Sequence, residues 1–244
     1  MNISALQKFV PSILFFFLVL VPSDGFARRR PPAGGRVAVV VDERLSALRA
    51  TPELSGILLR RMARGSFVAI KGERRSRDGV NFYRVNVTSR TSGWIQREAI
   101  ASPTRSGDDA RLLRLIKASD EYDRVSRARI FLDNFSSSEF RPEVLLIYSE
   151  TAEEIAGHLS REAMRRLDAK EMTAGGAPLF SYFLNYNGLD RYNRQGVTFV
   201  FDSREKVLRY DGEGWQELIH RYPRSLEAAE ARKRLSPRSA ANPR

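Results

Sequence analysis

The amino-acid sequence predicts a multi-domain protein in which a small all-β barrel precedes an α-helical domain that carries a β-hairpin insertion. Three observations lead to this fold class. Short β-rich runs separated by turn residues fill residues 36–101, a spacing typical of a small antiparallel barrel. Apolar residues recur every three or four positions across residues 108–235, as they do in amphipathic helices. Within that region, two β-rich runs flank Asp202-Ser203-Arg204 and predict a hairpin.

The predicted barrel contains four strands, at residues 37–41, 65–70, 82–87 and 93–95. Glycine, proline and polar residues separate these strands, and the polar stretch 72–79 is predicted to lie outside them. Residues 102–107 are predicted to be a linker, because Pro103 and Gly107 break regular structure.

The helical domain opens with an apolar series that includes Leu112, Ile116, Val125 and Phe131. A longer helix is predicted from Pro142, since proline is tolerated in a first helical turn. Residues 174–176 end that helix, and the elements that follow are a short helix at 177–185, hairpin strands at 197–201 and 207–210, and a helical pair at 214–235. The composition of residues 236–244 predicts a disordered tail.

The N-terminal residues 1–27 have the pattern of a signal peptide. Lys8 supplies a positive charge, an apolar run covers residues 13–21, and small residues precede a cleavage site near Ala27. The apolar run is shorter than the roughly 20 residues that cross a bilayer, which favours cleavage over an uncleaved anchor. Residues 28–35 then form a flexible lead-in. The chain is therefore expected to be exported, to a periplasm or outside the cell, and its lack of cysteine excludes disulfides and a lipid-bearing N-terminal Cys.

Positive charge is concentrated in the first third of the mature chain. Residues 28–105 carry 17 Lys and Arg against 6 Asp and Glu, whereas residues 106–244 carry 23 against 22. Such a basic segment attracts polyanions, namely nucleic acid, anionic lipid head groups or acidic wall polymers. An exported protein meets the last two, so no nucleic-acid partner is expected. The alternative is that the arginines serve only solubility.

The sequence contains one internal repeat. Phe131-Leu132, Phe135 and Ser138 recur at identical spacings, 87 residues later, as Leu218-Ile219, Tyr222 and Ser225. Each copy predicts a helix, an aromatic turn and a serine that caps the next helix. A chance match between two amphipathic hairpins is the alternative.

Two family resemblances follow from these segments. Residues 36–101 resemble a bacterial SH3-like (SH3b) domain, through Leu48-Arg49-x-x-Pro52, the run Arg64-Gly65 to Ile70, Phe82-Tyr83-Arg84-Val85 and Gly93-Trp94-Ile95. The helical segment is similar to tetratricopeptide-type proteins of the outer-membrane assembly lipoprotein family, through Tyr222-Pro223-x-Ser225 and the alanines that follow. The resemblances imply an SH3-like barrel and a tetratricopeptide-like helical domain.

No catalytic constellation is found in the sequence. A cysteine nucleophile is absent, and His158 and His220 lack the His-Glu-x-x-His spacing of a zinc site. Ser203 and Lys206 match Ser-x-x-Lys, but they fall in the predicted hairpin turn and no Lys-Thr-Gly follows. We therefore expect that the protein is not an enzyme and needs no cofactor or metal.

These observations predict a non-enzymatic adaptor of the bacterial envelope. The SH3b-like domain would dock on an anionic envelope polymer or on peptidoglycan, and the helical domain would bind a protein partner. The alternative is an accessory subunit or activator of a peptidoglycan hydrolase. Exposed arginines or an aromatic groove would carry the docking, and the candidate residues are Arg60, Arg61, Arg64, Arg74, Arg75, Arg77, Tyr83 and Trp94. A second set of aromatic residues either packs in the core or lines a groove that binds a peptide or glycan. These residues are Phe180, Tyr182, Phe183, Tyr186, Tyr192 and Trp215.

Overall fold

The computed structural model describes residues 34–240, and the side chains of residues 34–236. The predicted signal peptide, most of the predicted lead-in and the end of the predicted tail lie outside the described residues. All described residues belong to one compact unit. No helix within residues 34–240 has the length and apolar character needed to cross a membrane.

The N-terminal part is an antiparallel sheet of seven strands. The strands are β1 Arg36–Val40, β2 Ala47–Arg49, β3 Leu58–Arg61, β4 Phe67–Arg75, β5 Asn81–Asn86, β6 Ser92–Gln96 and β7 Ile100–Ala101. Their order in the sheet is β3-β2-β6-β5-β4-β1-β7. The four predicted strands are all present, whereas β2, β3 and β7 were not predicted because strands of two to four residues are too short to show a period.

Strand β4 is longer than the sequence predicts. It continues to Arg75, so half of the polar stretch 72–79 is strand rather than turn. The cause is its pairing with β5, which runs from Ala69 opposite Asn86 to Arg75 opposite Asn81 with a register shift after Ile70. Tertiary pairing of this kind overrides a local polar signal.

The C-terminal part is mainly helical. Its helices are α1 Asp108–Lys117, α2 Glu121–Asn134, α3 Arg141–Arg166, α4 Ala169–Gly175, α5 Leu179–Leu184, α6 Asp190–Asn193, α7 Glu213–Arg221 and α8 Leu226–Ala240. The predicted hairpin is confirmed, since β8 Phe199–Asp202 pairs antiparallel with β9 Val207–Tyr210. The helix predicted to end at 174–176 is instead two helices. The Asp168 carboxylate accepts hydrogen bonds from the amides of Lys170 and Glu171, which caps α4 as a separate element.

Helix α8 continues to Ala240, beyond the predicted end at Leu235 and into the segment predicted to be a disordered tail. Pro237 has no N–H to donate to the carbonyl oxygen of Lys233. The hydroxyl of Ser236 donates to that carbonyl at 3.0 Å, so the acceptor is satisfied and the helix is not interrupted there.

The internal repeat corresponds to two helix–turn–helix pairs, α2–α3 and α7–α8. Ser225 caps α8 as predicted, since its hydroxyl accepts a hydrogen bond from the amide of Ala228. Ser138 does not cap α3 in this way. Its hydroxyl donates to Asp109 and accepts from the amide of Phe140, and Phe140 is the residue that precedes α3.

The sheet and the helices each have a hydrophobic cluster, and β1 contributes to both. Side chains alternate along a strand, and β1 uses both of its faces. Ala38 and Val40 pack inside the sheet, whereas Val39 and Val41 pack among helical residues such as Leu112. The connection at residues 102–107 is also held in place, because the Ser102 amide donates to Asp108 and its hydroxyl donates to the carbonyl of Val37.

Candidate binding face on the N-terminal sheet

Five of the predicted arginines are exposed on the sheet. Arg60 and Arg61 lie on edge strand β3, Arg74 and Arg75 lie on β4, and Arg77 lies in the turn between β4 and β5. Within residues 34–236, none of the five forms an ion pair with a carboxylate. No carboxylate of the described residues therefore neutralises these guanidinium groups, although Arg75 donates from Nε to the Gly79 carbonyl at 3.1 Å.

Trp94 lies at the centre of a basic face. On the neighbouring strands, Arg84 of β5 and Arg49 of β2 lie directly opposite Trp94. Directly opposed residues of antiparallel strands project from the same face. The guanidinium carbon of Arg74 lies 6.0 Å from the centroid of the Trp94 ring. We call Arg49, Arg74, Arg84 and Trp94 the arginine–tryptophan face.

The backbone beside Trp94 sets this geometry. A Cβ at Gly93 would come within 2.8 Å of the Leu48 side chain and the Arg49 carbonyl oxygen, so only glycine lets β6 lie this close to β2. Arg49 in turn donates from Nη1 to the Gly56 carbonyl at 2.7 Å, which anchors the loop after β2. The position of Trp94 against Arg49 is thus fixed by the backbone.

The arginine–tryptophan face combines two kinds of recognition. Guanidinium groups bind carboxylate or phosphate in a planar, bidentate manner. The half-buried indole of Trp94 supplies an apolar surface that stacks on a flat ligand or on another cation. On sequence grounds, exposed arginines and an aromatic groove are alternative binding surfaces. In the structure, Arg74 and Trp94 are in contact, so one surface contains both.

Arg64 is not part of an exposed surface. Its side chain is 9% exposed, and its Nη1 lies 2.9 Å from a carboxylate oxygen of Asp123 on α2. This hydrogen bond lowers the pKa of Asp123, against the smaller opposing effect of burial. The loop before β4 turns toward the helices, so Arg64 joins the sheet to α2 and is unavailable to a ligand.

Tyr83 is also withdrawn from the surface. It is 2% exposed, packs in the inner core of the sheet, and lies opposite Ile95 rather than Trp94. The guanidinium of Arg105 lies over its ring at 5.7 Å, and burial raises the pKa of the phenol. Because Tyr83 and Trp94 project from opposite faces, they cannot line one groove.

Sequence reasoning missed Arg49 and Arg84. Both stand inside the quoted motifs, but their proximity to Trp94 depends on which strands pair and in which register. The one signal in the sequence is the alternation Tyr83-Arg84-Val85, in which an arginine between apolar residues indicates an outward position on a strand.

The aromatic set of the helical part divides between core and surface. Phe183, Tyr186, Tyr192 and Trp215 are buried in the core. Tyr182, together with the edge of Tyr186, lines an open groove of about 620 Å³, beside Arg166, Leu167, Ser181, Asn185 and Asn187. Phe180 is 49% exposed.

No grouping of three or more His, Asp or Glu side chains suited to a metal ion occurs in the described part of the chain. His158 lies 3.8 Å from a carboxylate oxygen of Glu121, and His220 lies in the last turn of α7.

No family model, no curated protein and no solved structure matches the chain. The resemblances to SH3b domains and to tetratricopeptide-type proteins remain predictions. What the structure shows is an antiparallel sheet followed by a helical region.

Proposed function

We propose that the protein is an exported, non-enzymatic adaptor of the bacterial envelope. Its N-terminal domain, as an SH3-like barrel, docks on an anionic envelope polymer or peptidoglycan, and its tetratricopeptide-like helical domain binds a protein partner. The observation that supports docking best is the arginine–tryptophan face, where three arginines surround one half-buried tryptophan.

The charge of this face favours a polymer with repeated anionic groups. Arg74 and Arg84 are exposed, and within residues 34–236 neither forms an ion pair with a carboxylate. Charge-assisted hydrogen bonds from guanidinium to phosphate or carboxylate are about twice as strong as neutral ones. Exposed charges are screened over about 8 Å at physiological ionic strength, so binding by this face weakens with salt.

Binding of a protein partner by the helical domain is supported by the way its two helical hairpins are held together. Arg141, at the start of α3, donates from Nε to the Tyr222 hydroxyl at 3.1 Å and lies 3.7 Å from the Glu217 carboxylate. Because this arginine is nearly buried, it holds the turn of the second hairpin against the first. The groove with Tyr182 and Tyr186 offers a surface for an extended peptide of the partner.

Co-sedimentation with isolated sacculi tests the docking. The variant Arg74→Glu/Arg84→Glu reverses two charges of the arginine–tryptophan face and is expected to lower affinity at least about tenfold, the loss of one charge-assisted hydrogen bond or more. The matched control is Arg75→Glu/Arg77→Glu, which makes the same charge change on the same hairpin. Arg75 projects from the opposite face to Arg74, since neighbouring strand residues alternate.

Three results bear on the proposal. If only Arg74→Glu/Arg84→Glu loses affinity for sacculi, docking through the arginine–tryptophan face is supported. If both double variants lose affinity equally, binding depends on net charge alone and not on this face. Wild-type protein that stays entirely soluble at low salt rejects docking. Trp94→Ala separates the indole from the charge, because the indole's part of the affinity does not change with salt.

A further inference from the structure

A surface beside the arginine–tryptophan face is apolar rather than basic. Residues 34–236 contain nine exposed large hydrophobic side chains, and four of them fall within six positions of the β2–β3 hairpin. These are Leu54, Ile57, Leu58 and Leu59, exposed by 42%, 75%, 46% and 48%. We call them the hairpin tip. Clustering of this kind marks an interaction surface, whereas single exposed apolar residues need no explanation.

The local backbone holds the hairpin tip outward. Leu48 pairs with Arg60 while Arg49 pairs with Leu58, so Leu59 is an extra residue in a β-bulge. Bulges redirect side chains and break the regular ladder. The loop is closed by hydrogen bonds from the Ala50 amide to the Ile57 carbonyl and from the Gly56 amide to the Glu53 carbonyl, at 2.9 and 3.0 Å. The apolar side chains are therefore presented on a closed hairpin.

Cationic residues stand directly behind the hairpin tip. Arg60 and Arg61 follow Leu58 and Leu59 by two positions, which is about 6 to 7 Å along a strand. Of the six Lys and Arg in residues 44–72, Arg44 and Arg64 are paired with Asp42 and Asp123, whereas Arg60 and Arg61 form no ion pair within residues 34–236. The depth of the apolar–charged boundary matches the roughly 5 to 10 Å to which interfacial segments enter a lipid layer.

We propose that the hairpin tip inserts into the surface of an anionic lipid bilayer, with Arg60 and Arg61 at the level of the lipid phosphates. This site adjoins the arginine–tryptophan face, since Leu58 lies directly opposite Arg49. An added β-strand from a peptide is the competing occupant, since no described strand pairs with the outer edge of β3. The bulge at Leu59 and the two edge arginines disfavour strand addition, and a peptide strand would leave Leu54 and Ile57 in water.

Vesicle binding tests the proposal, with the protein isolated after export and vesicles of equal parts phosphatidylglycerol and phosphatidylcholine. Ile57→Ser/Leu59→Ser is expected to lower partitioning at least about tenfold, because two largely exposed side chains lose their transfer into the lipid. The matched control is Met164→Ser/Leu226→Ser, which removes two exposed apolar side chains from the helical part and is expected to bind like wild type. Arg60→Gln/Arg61→Gln is expected to reduce binding to these vesicles but not to pure phosphatidylcholine.

A fluorescent probe at the tip makes the test specific to the site. In Ile57→Trp, the tryptophan emission is expected to shift to the blue on anionic vesicles and to be quenched by brominated acyl chains. An unchanged emission, or equal partitioning of Ile57→Ser/Leu59→Ser and its control, overturns the proposal. It is also overturned if vesicles have no effect while an acidic extended peptide shifts the amide signals of β3. Vesicles contain no wall polymer, so these outcomes are distinguishable from failure of docking on sacculi.

Discussion

Arg127 provides the sharpest test of how the sheet and the helices are joined. Its side chain is 4% exposed on α2, and its Nε donates to the carbonyl oxygen of Val41 at 3.1 Å. Nη1 donates to the Ser119 hydroxyl and lies 3.3 Å from an Asp123 carboxylate oxygen. Replacing Arg127 by alanine removes these contacts and leaves the Val41 carbonyl without this partner.

The expected loss follows from those contacts. A buried acceptor without a partner costs about 1 to 3 kcal/mol, and removing one member of a buried ion pair costs about 3 to 5 kcal/mol. Asp123 is half exposed and keeps Arg64 as a partner, so the lower part of that range applies. We therefore expect Arg127→Ala to lower the free energy of unfolding by about 3 kcal/mol, or about 1 to 2 M in the urea midpoint.

Urea unfolding followed by far-UV circular dichroism and by tryptophan fluorescence measures this effect. The two tryptophans report on different parts, since Trp94 lies on the sheet and Trp215 is buried among the helices. Because β1 packs in the clusters of both parts, we expect one transition that moves as a whole in the variant. The control is Arg129→Ala on the same helix, where a 41% exposed arginine pairs with Asp133. Its cost is expected to be below about 1 kcal/mol. Two separate transitions, or equal shifts in both variants, would refute the reasoning.

Three further predictions concern acid stability, packing and activity. The pKa of Asp42 is lowered mainly by its hydrogen bond with Arg44. The contribution of Asp42 to the free energy of unfolding is therefore present above the unfolded pKa and is lost as pH falls below about 4. In an acid titration, Asp42→Asn should lose less stability than the wild type over this pH range. Gly93→Ala should lower the free energy of unfolding by about 1 to 3 kcal/mol, because its Cβ meets β2 at 2.8 Å, and a thermal melt equal to wild type would contradict the close approach. The protein alone should give no lysis band on wall-embedded gels, and a clear band would favour the hydrolase class over the adaptor.

Local sequence patterns determined many of the elements of this protein. The β8–β9 hairpin follows from two short β-rich runs around Asp202, because a hairpin needs only neighbouring residues to form. Strands β1, β5 and β6 and the long helix α3 were predicted from their apolar runs and periods. The concentration of arginine in the first third is likewise a property of sequence alone.

Tertiary structure alone decided which of these residues form a surface. Arg49, Arg84 and Trp94 lie on three strands, so their proximity depends on strand order and register, and a shift of one residue would turn Trp94 to the opposite face. The same pairing places Tyr83 on the buried face, and the loop before β4 turns Arg64 toward Asp123, although both are candidate binding residues on sequence grounds. Cross-strand contacts and the packing of β1 against the helices join residues that are distant in sequence, and no local period records these contacts.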